Sequence, residues 1–369
     1  MNEMQNIFAG NDVKVRLEEY FVANNIKNIL LVCDQSIAFL DWDVYFHTLQ
    51  DRQEIRVTRF SDFQPNPVFE SVSRGVLTFK KNDCEAIVAI GGGSAIDVAK
   101  CIKLFEKQKQ VSITGPIEPN DWPLIAIPTT AGSGSEATPF AVIYHENEKY
   151  SIMHKTALPA VAVLDPSVLL TLPAYQKKST MMDALCHCIE SIWSKRANDQ
   201  SRIFAQEGIR LILANYKQYL NNEHDSDLFM LQASYLAGKA ISITTTTACH
   251  AMSYKMTTLF SIAHGHAVAL CMSKLWPYMV RQYDYSQDAS LVSAFQAINE
   301  AFNKETSEES ISEFEQIMKE LQFEKRFTND PKEIQVLAKS VNVERLQNHP
   351  IALDEDTIAM LYQQILSDQ

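Results

Sequence analysis

EAIVAIGGGSAIDVAK, residues 85–100, decides the fold. An apolar run ends in three glycines, Gly91, Gly92 and Gly93, and passes at Ser94 into a helical pattern. Glycines at a strand-to-helix turn let backbone N–H groups approach a phosphate, and the helix N-terminus favours its negative charge. Ser94 and Asp97 have the S-x-x-D spacing of a capping box, which predicts a helix starting at Ser94. The stretch lacks the G-x-G-x-x-G fingerprint, so it reads either as a diphosphate cradle or as a tight turn without a ligand. A second glycine-containing loop, PTTAGSGSE (128–136), also follows an apolar run and is rich in hydroxyls. Two such loops at strand ends of one sheet point to a dinucleotide. Asp34, directly after NILLVC (28–33), is placed either to accept hydrogen bonds from a ribose diol or to serve as a turn residue.

Outward from this motif, NILLVCD (28–34), EIRVTRF (54–60), EAIVAI (85–90), PLIAIPTT (123–130) and AVAVLD (160–165) alternate with helical patterns. Apolar strands separated by helices predict a parallel sheet covered on both faces. After Pro173 the texture changes: MMDALCHCIESIW and SRIFAQEGIRLILANYKQYL repeat apolar residues at three and four, the helical period. The expected architecture is α/β plus all-α, with a Rossmann-like dinucleotide-binding domain over 1–178 and a helical metal-binding and substrate domain over 179–369. NKETSEESISEF (303–314) reads as a solvated loop and helix start.

The 369-residue chain is long enough for two cores. A net charge of -12 argues against broad nucleic-acid or anionic-membrane binding, both of which need a basic surface. Seven cysteines, scattered without zinc-ribbon or disulfide spacing, read as small reduced core residues. MNEMQNIFAG lacks a signal peptide's basic and apolar regions, and no apolar run reaches about 18 residues, so a cytoplasmic location is expected.

The segment TTTTACHAMSYKMTTLFSIAHGHAVAL (244–270) holds His250, His264 and His266 in mostly apolar sequence. Upstream, Asp183 and His187 stand four apart, on one face of a helix, and can share a metal ion. His250 and His264, fourteen apart, would be separated by about 21 Å on one straight helix, so the chain must turn between them if both bind one ion. Asp183, His187, His250 and His264 together make an O/N₃ set that suits iron(II) or zinc with an open position. Cys186, Cys188 and Cys249 are rival ligands.

These residues carry a resemblance. Pro65-Asn66-Pro67, GGGSAIDVAK, AIPTTAGSGSE, VLDPSVLLTLP, MDALCHCIE and HGHAVA resemble, in order and essentially end to end, the iron-containing (group III) alcohol dehydrogenases. The resemblance implies a dehydroquinate synthase-like fold, a dinucleotide domain followed by a helical one with the active site between them, and a homodimer. It implies that Asp183, His187, His250 and His264 bind the metal and that Gly91 to Ser94 hold the pyrophosphate. It further implies that Asn66, Asp97, Thr129, Thr130, Ser133 and Lys149 belong to the cofactor site, and that the acid at Asp34 favours NAD(H) by repelling a 2′-phosphate. Many members carry a second histidine four residues after the third ligand; here that position is Tyr254, so Tyr254, His266 or water must supply the proton.

GKAISITTTTACHAMSYK (238–255) differs from the glycine-rich, apolar version of simple ethanol or diol dehydrogenases. Lys239, Ser242, four consecutive threonines including Thr246, and Lys255 offer a pocket for a compact anion. The alternative is that the threonines pack and cap while the lysines are solvated. The pattern resembles the phosphonoacetaldehyde reductase branch, which makes 2-hydroxyethylphosphonate. An uncharged short aldehyde or diol is the second substrate class, a dehydroquinate synthase-like lyase a second reaction class, and a non-catalytic paralogue a third.

Overall fold

The structure, a computed structural model, describes residues 5–367 apart from 147, 287–288, 325–326, 328–329 and 343–345. Contacts divide the chain into two compact units, Met1–Leu172 with Asn221–Tyr235, and Pro173–Leu220 with Leu236–Gln369.

In the first unit, strands β1 (Asn6–Ala9), β2 (Asn28–Cys33), β3 (Arg56–Phe60), β4 (Ala86–Gly91), β5 (Leu124–Pro128) and β8 (Val161–Leu164) form one parallel sheet in the order β1-β8-β5-β4-β2-β3. The inner strands are continuous apolar runs because both faces are covered: every residue of β4, β5 and β8 is buried. All five runs expected as strands lie in this sheet. Two features were not anticipated, the edge strand β1, only four residues long, and an antiparallel hairpin of β6 (Phe140–His145) and β7 (Glu148–Met153). β7, EKYSIM, is largely exposed, so no apolar run announces it.

Helices α1 (Val13–Ala23), α2 (Asp41–Gln53), α3 (Phe69–Lys81) and α4 (Gly93–Phe105) connect the strands. From β2 the chain goes to β3 on one side and then to β4 on the other, so strand order reverses between β2 and β4. Ligands of open parallel sheets bind outside the carboxyl ends of the strands at such a reversal, and here those ends carry Asp34 and Gly91.

The second unit is helical: α5 (Ala174–Trp193), α6 (Asp199–Leu220), α7 (Asp227–Thr244) from Leu236 onward, α8 (Ala248–Phe260), α9 (His264–Ser286), α10 (Ala289–Phe302), α11 (Ser307–Leu321), α12 (Pro331–Lys339) and α13 (Glu355–Ser367). The boundary expected after residue 178 falls inside the first turns of α5. That helix is buried continuously from Met181 to Trp193, on all faces, which makes it the core element of the unit. α11 starts with a capping box of Thr306 and Glu309, in the stretch read as a solvated helix start. Between α8 and α9 the chain turns at Ser261, in the left-handed region at φ 52°. Among the described residues no helix is long and apolar enough to cross a membrane.

Candidate cofactor cradle and metal centre

β4 ends at Gly91, whose φ of 153° and position require glycine: a Cβ there would lie 2.7 Å from Ala95 Cβ and 3.4 Å from Asp34 Oδ2. One correction follows at the next residues. The capping box expected from Ser94 and Asp97 does not form; α4 starts at Gly93 with Gly92 as its cap and no side-chain hydrogen bond. The Asp97 carboxylate instead accepts the Ser135 hydroxyl at 2.7 Å and the Val142 amide at 2.9 Å, tying the second glycine loop and the β6 strand to α4. Among the described residues the first-turn amides of α4 thus have no side-chain acceptor, which is the state an anion-binding helix N-terminus needs.

The two glycine loops face each other. A Cβ on Gly92 would meet Thr130 Cγ2 at 3.6 Å, and one on Gly93 would meet Ser133 Oγ at 3.2 Å. Thr129 donates its amide to Gly91 O at 3.0 Å and is buried. Asp34, Gly91 to Ser94, Thr130 and Ser133 are therefore gathered around one cradle. Asp34 also caps a short 3₁₀ turn, accepting the Ser36 amide at 2.8 Å, so both of its expected roles are compatible. Lys149 lies on β7; burial raises the Asp97 carboxyl, and the Lys149 charge is one of the groups that draw it back in part. Asn66 is exposed and left-handed at φ 59°, and no hydrogen bond joins it to the cradle among the described residues.

Behind the second loop lies a buried ionisable cluster that no local pattern announces. Lys100, fully buried, donates to Ser135 Oγ (2.9 Å), Thr138 Oγ1 (3.0 Å) and Phe140 O (2.7 Å). Glu136 is 1% exposed, and neither carboxylate oxygen has a hydrogen-bond partner among the described residues. Burial pushes this carboxyl from 4.5 up to about 7, with Lys100 drawing it down only in part. A raised folded-state value means that the fold binds a proton the unfolded chain has released. Stability is therefore lost as pH rises from about 4.5 to about 7, and the loss levels off above. At about 1.4 kcal/mol per unit the pH-dependent loss is about 3 kcal/mol. Glu136→Gln should remove this contribution, so the variant's urea-unfolding free energy should fall less than that of the wild type between pH 5 and pH 8. Parallel pH profiles would refute the assignment.

The helical unit brings together residues far apart in sequence. Asp183 and His187 share a face of α5; His250 lies in the first turn of α8 and His264 opens α9. Asp183, His187 and His250 are all buried and present ligand atoms within 4.8 Å of one another. Asp183 Oδ1 stands 3.4 Å from His250 Nε2 and 3.9 Å from His264 Nε2. The His187 and His250 rings stack at 4.3 Å, and the His264 side chain, 37% exposed, closes the rim. Burial by itself would raise the Asp183 carboxyl, but the surrounding imidazoles outweigh it and hold the group well below the usual carboxylate range. Asp183 Oδ1 and His250 Nε2 are buried and have no hydrogen-bond partner among the described residues, although they lie 3.4 Å apart. A divalent cation bound by one carboxylate and imidazole nitrogens fits this convergence. The rival Cys186, Cys188 and Cys249 are buried, their thiols pushed up by burial, and none joins the converging donor group.

Two residues that the sequence reading passed over hold this centre. Glu190, one turn beyond His187 on α5, contacts His250 Nδ1 in a short hydrogen bond. Its signal was the D-x₃-H-x₂-E spacing, which puts all three side chains on one helix face. Tyr175 accepts the Ala263 amide at 3.0 Å and bonds His266 Nδ1 at 3.1 Å. That places His266 beside Tyr175 and stacked on Phe323 at 4.1 Å, two residues past His264 and on another side of α9. Tyr254, by contrast, stacks in parallel on His264 at 5.5 Å.

The expected substrate residues are differently disposed. Thr244 bonds Ser191 Oγ, Thr245 accepts from Asn348, and Thr247 bonds Glu190 and Trp193. Thr246 is the member of the run whose hydroxyl has no hydrogen bond among the described residues. Ser242 Oγ donates to Lys239 O at 2.7 Å. The Lys239 ammonium lies over the Phe204 ring at 5.8 Å. Lys255 is exposed and, five residues after His250, lies about 140° around α8 from it.

The family model for iron-containing alcohol dehydrogenase matches residues 5–166, and that for the C-terminal part of the Fe-containing alcohol dehydrogenase family matches 177–366. The chain belongs to the iron-containing alcohol dehydrogenase family. Among curated members, an aldehyde-alcohol dehydrogenase of Streptococcus pneumoniae is 32% identical over 70% of the chain. That match covers 31% of the longer protein, so the chain spans about a third of such a relative's length. The 1,3-propanediol dehydrogenase of Klebsiella pneumoniae is 31% identical over 75% of the chain and 73% of its own. Among solved structures, the sulfoacetaldehyde reductase of Bifidobacterium kashiwanohense in complex with NAD+ shares the family fold. Its TM-score is 0.89, over 99% of this chain and 98% of that one, at 24% identity.

Proposed function

We propose that this iron-containing alcohol dehydrogenase relative is an NAD(H)-dependent reductase of small aldehydes, with phosphonoacetaldehyde, reduced to 2-hydroxyethylphosphonate, as its preferred substrate. The observation that carries the reductase reading is the convergence of buried Asp183, His187 and His250 with His264 at the rim, in a chain that also holds the paired glycine loops. Asp183, His187, His250 and His264 would hold iron(II), or zinc. When bound, such an ion supplies Lewis acidity toward a carbonyl oxygen and the nicotinamide supplies hydride.

The chain's own groups do the rest. Gly91 to Ser94, with Thr130 and Ser133 opposite, bind the pyrophosphate through amides and hydroxyls. Asp34 accepts the ribose hydroxyls and repels a 2′-phosphate. Tyr254, stacked on His264, is the side chain on which we place the proton for the nascent alkoxide oxygen. Thr246, whose hydroxyl has no hydrogen bond among the described residues, and Lys239 support an anionic tail, as does the likeness to the sulfoacetaldehyde reductase of Bifidobacterium kashiwanohense. The exposure of Lys255 favours a second reading, an uncharged short-chain aldehyde or diol. Cytoplasmic residence and a homodimer accompany either substrate.

The test is NADH oxidation followed at 340 nm with iron(II)-loaded protein, on phosphonoacetaldehyde against lactaldehyde and propanal. Stoichiometric NADH consumption with a kcat/KM preference for the phosphonate of at least tenfold, lost in Lys239→Ala, is the expected result. Equal turnover of the uncharged aldehydes would sink the phosphonate assignment, and NADH recycling without net consumption would sink the reductase one.

A further inference from the structure

Glu190 is completely buried, yet its ion-pair partner among the described residues is a histidine and not a lysine or arginine. Both carboxylate oxygens are engaged twice. Oε1 accepts the Thr247 hydroxyl at 2.6 Å and the Cys249 amide at 2.7 Å; Oε2 accepts the Thr247 amide at 3.2 Å and meets His250 Nδ1. Thr247 is the cap of α8 and Cys249 its second residue, so the carboxylate also sits at the positive end of that helix, whose cap side chain accepts no hydrogen bond from the helix amides. An ionised carboxylate only accepts hydrogen bonds. Its contact with Nδ1 therefore requires Nδ1 to carry the proton, and in a neutral ring that leaves the lone pair on Nε2. Nε2 is the atom 3.4 Å from Asp183 Oδ1.

We propose that Glu190 is the positioning residue of the metal centre, fixing His250 as the Nδ1–H tautomer with Nε2 turned toward Asp183 and clamping the start of α8 onto α5. The inference rests on the reading of Asp183, His187, His250 and His264 as ligands of a divalent ion. One side chain thereby joins the helix that carries Asp183 and His187 to the helix that carries His250. Carboxylate-held imidazoles of this kind hold ligand geometry and basicity in metal sites.

Glu190→Gln separates this role from simple helix capping. An amide has one acceptor atom where the carboxylate has two, and four donors meet there. With NH₂ at the Oε1 position, that donor faces the Cys249 amide, itself a donor; with NH₂ at the Oε2 position, the amide donates to Nδ1, which moves the ring proton to Nε2 and removes the ligand lone pair. Zinc(II) and iron(II) dissociation constants, measured by competition with a chromophoric chelator, should be 10- to 100-fold weaker in Glu190→Gln than in the wild type. NADH binding, followed by fluorescence, should be unchanged. Equal metal affinity in wild type and variant would overturn the inference alone, whereas a wild-type protein that binds neither ion overturns the metal reading and this inference with it. Should the variant not fold, ¹⁵N-histidine NMR of the zinc-loaded wild type decides: the His250 signal is expected to show a protonated Nδ1 and a metal-bound Nε2, and metal on Nδ1 overturns the assignment.

Discussion

Asp183→Asn should abolish metal-dependent activity while leaving the dinucleotide cradle intact. Asp183 is the one anionic member of the donor set, and its Oδ1 faces the Nε2 atoms of two of the histidines. Asparagine keeps the shape but removes the charge that compensates a divalent cation in a buried site. A Lewis acid contributes several kcal/mol to carbonyl reduction, so kcat/KM should fall on the order of 10³-fold at fixed iron(II). Thermal unfolding gives a second reading independent of turnover. A ligand present at 100 times its dissociation constant stabilises the fold by about 2.7 kcal/mol. A variant weakened 100-fold keeps only about 0.4 kcal/mol of that at the same concentration, so the zinc-induced rise in Tm should nearly vanish. A Tm rise equal to that of the wild type would remove Asp183 from the ligand set.

Gly265→Ala should be the most damaging single methyl group in the chain. Gly265 lies between His264 and His266 in the first turn of α9, and its Cα faces α5. A Cβ there would stand 2.0 Å from the Ser179 carbonyl oxygen, 2.9 Å from its carbon and 2.8 Å from Asp183 Cβ. Two of these are backbone atoms of a buried helix and cannot rotate away. The first turn of α9 must then move off α5, straining the hydrogen bonds of Ser179 Oγ to the His266 amide (3.1 Å) and of Tyr175 to the Ala263 amide (3.0 Å). It also carries His264 away from Asp183. In an open helical position, alanine stabilises relative to glycine by about 0.5 to 1 kcal/mol. Here overpacking of about 3 kcal/mol or more reverses that sign. Urea unfolding of the metal-free protein reads it directly, and a neutral or stabilising substitution would show that α9 does not press on α5 as described.

The glycines of 91–93 and 265 illustrate how differently two signals stand in the sequence. Gly91 to Gly93 follow an apolar run and precede a helical pattern, so their use as a close-approach turn was legible locally. Gly265 sits in HGH with no local reason to be glycine; the reason is a carbonyl eighty-six residues earlier. The failed capping box has the same origin. Ser94 and Asp97 carry the right spacing, but Asp97 found stronger partners in Ser135 and Val142, which arrive only when β5 and β6 are in place. The threonine run shows the converse: three of its four hydroxyls were drawn into contacts with Ser191, Asn348, Glu190 and Trp193. Thr246 is the member whose hydroxyl has no hydrogen bond among the described residues.

What the sequence determined by itself was set by short-range geometry. Buried strands must be apolar along their length, helices must repeat at three and four, and Asp183 and His187 four apart must share a helix face. These constraints act within a few residues and are visible without a partner. The parallel sheet, the helical second half and the need for a turn between His250 and His264 follow from them. Only the tertiary structure decided which distant groups meet: the Nε2 atoms of His250 and His264 on Asp183, Glu190 on the start of α8, and Glu136 buried near Lys100 with no hydrogen-bond partner for its carboxylate among the described residues. Such meetings depend on how helices and loops pack across gaps of tens of residues, where many sequences of the same periodicity would place different side chains in contact.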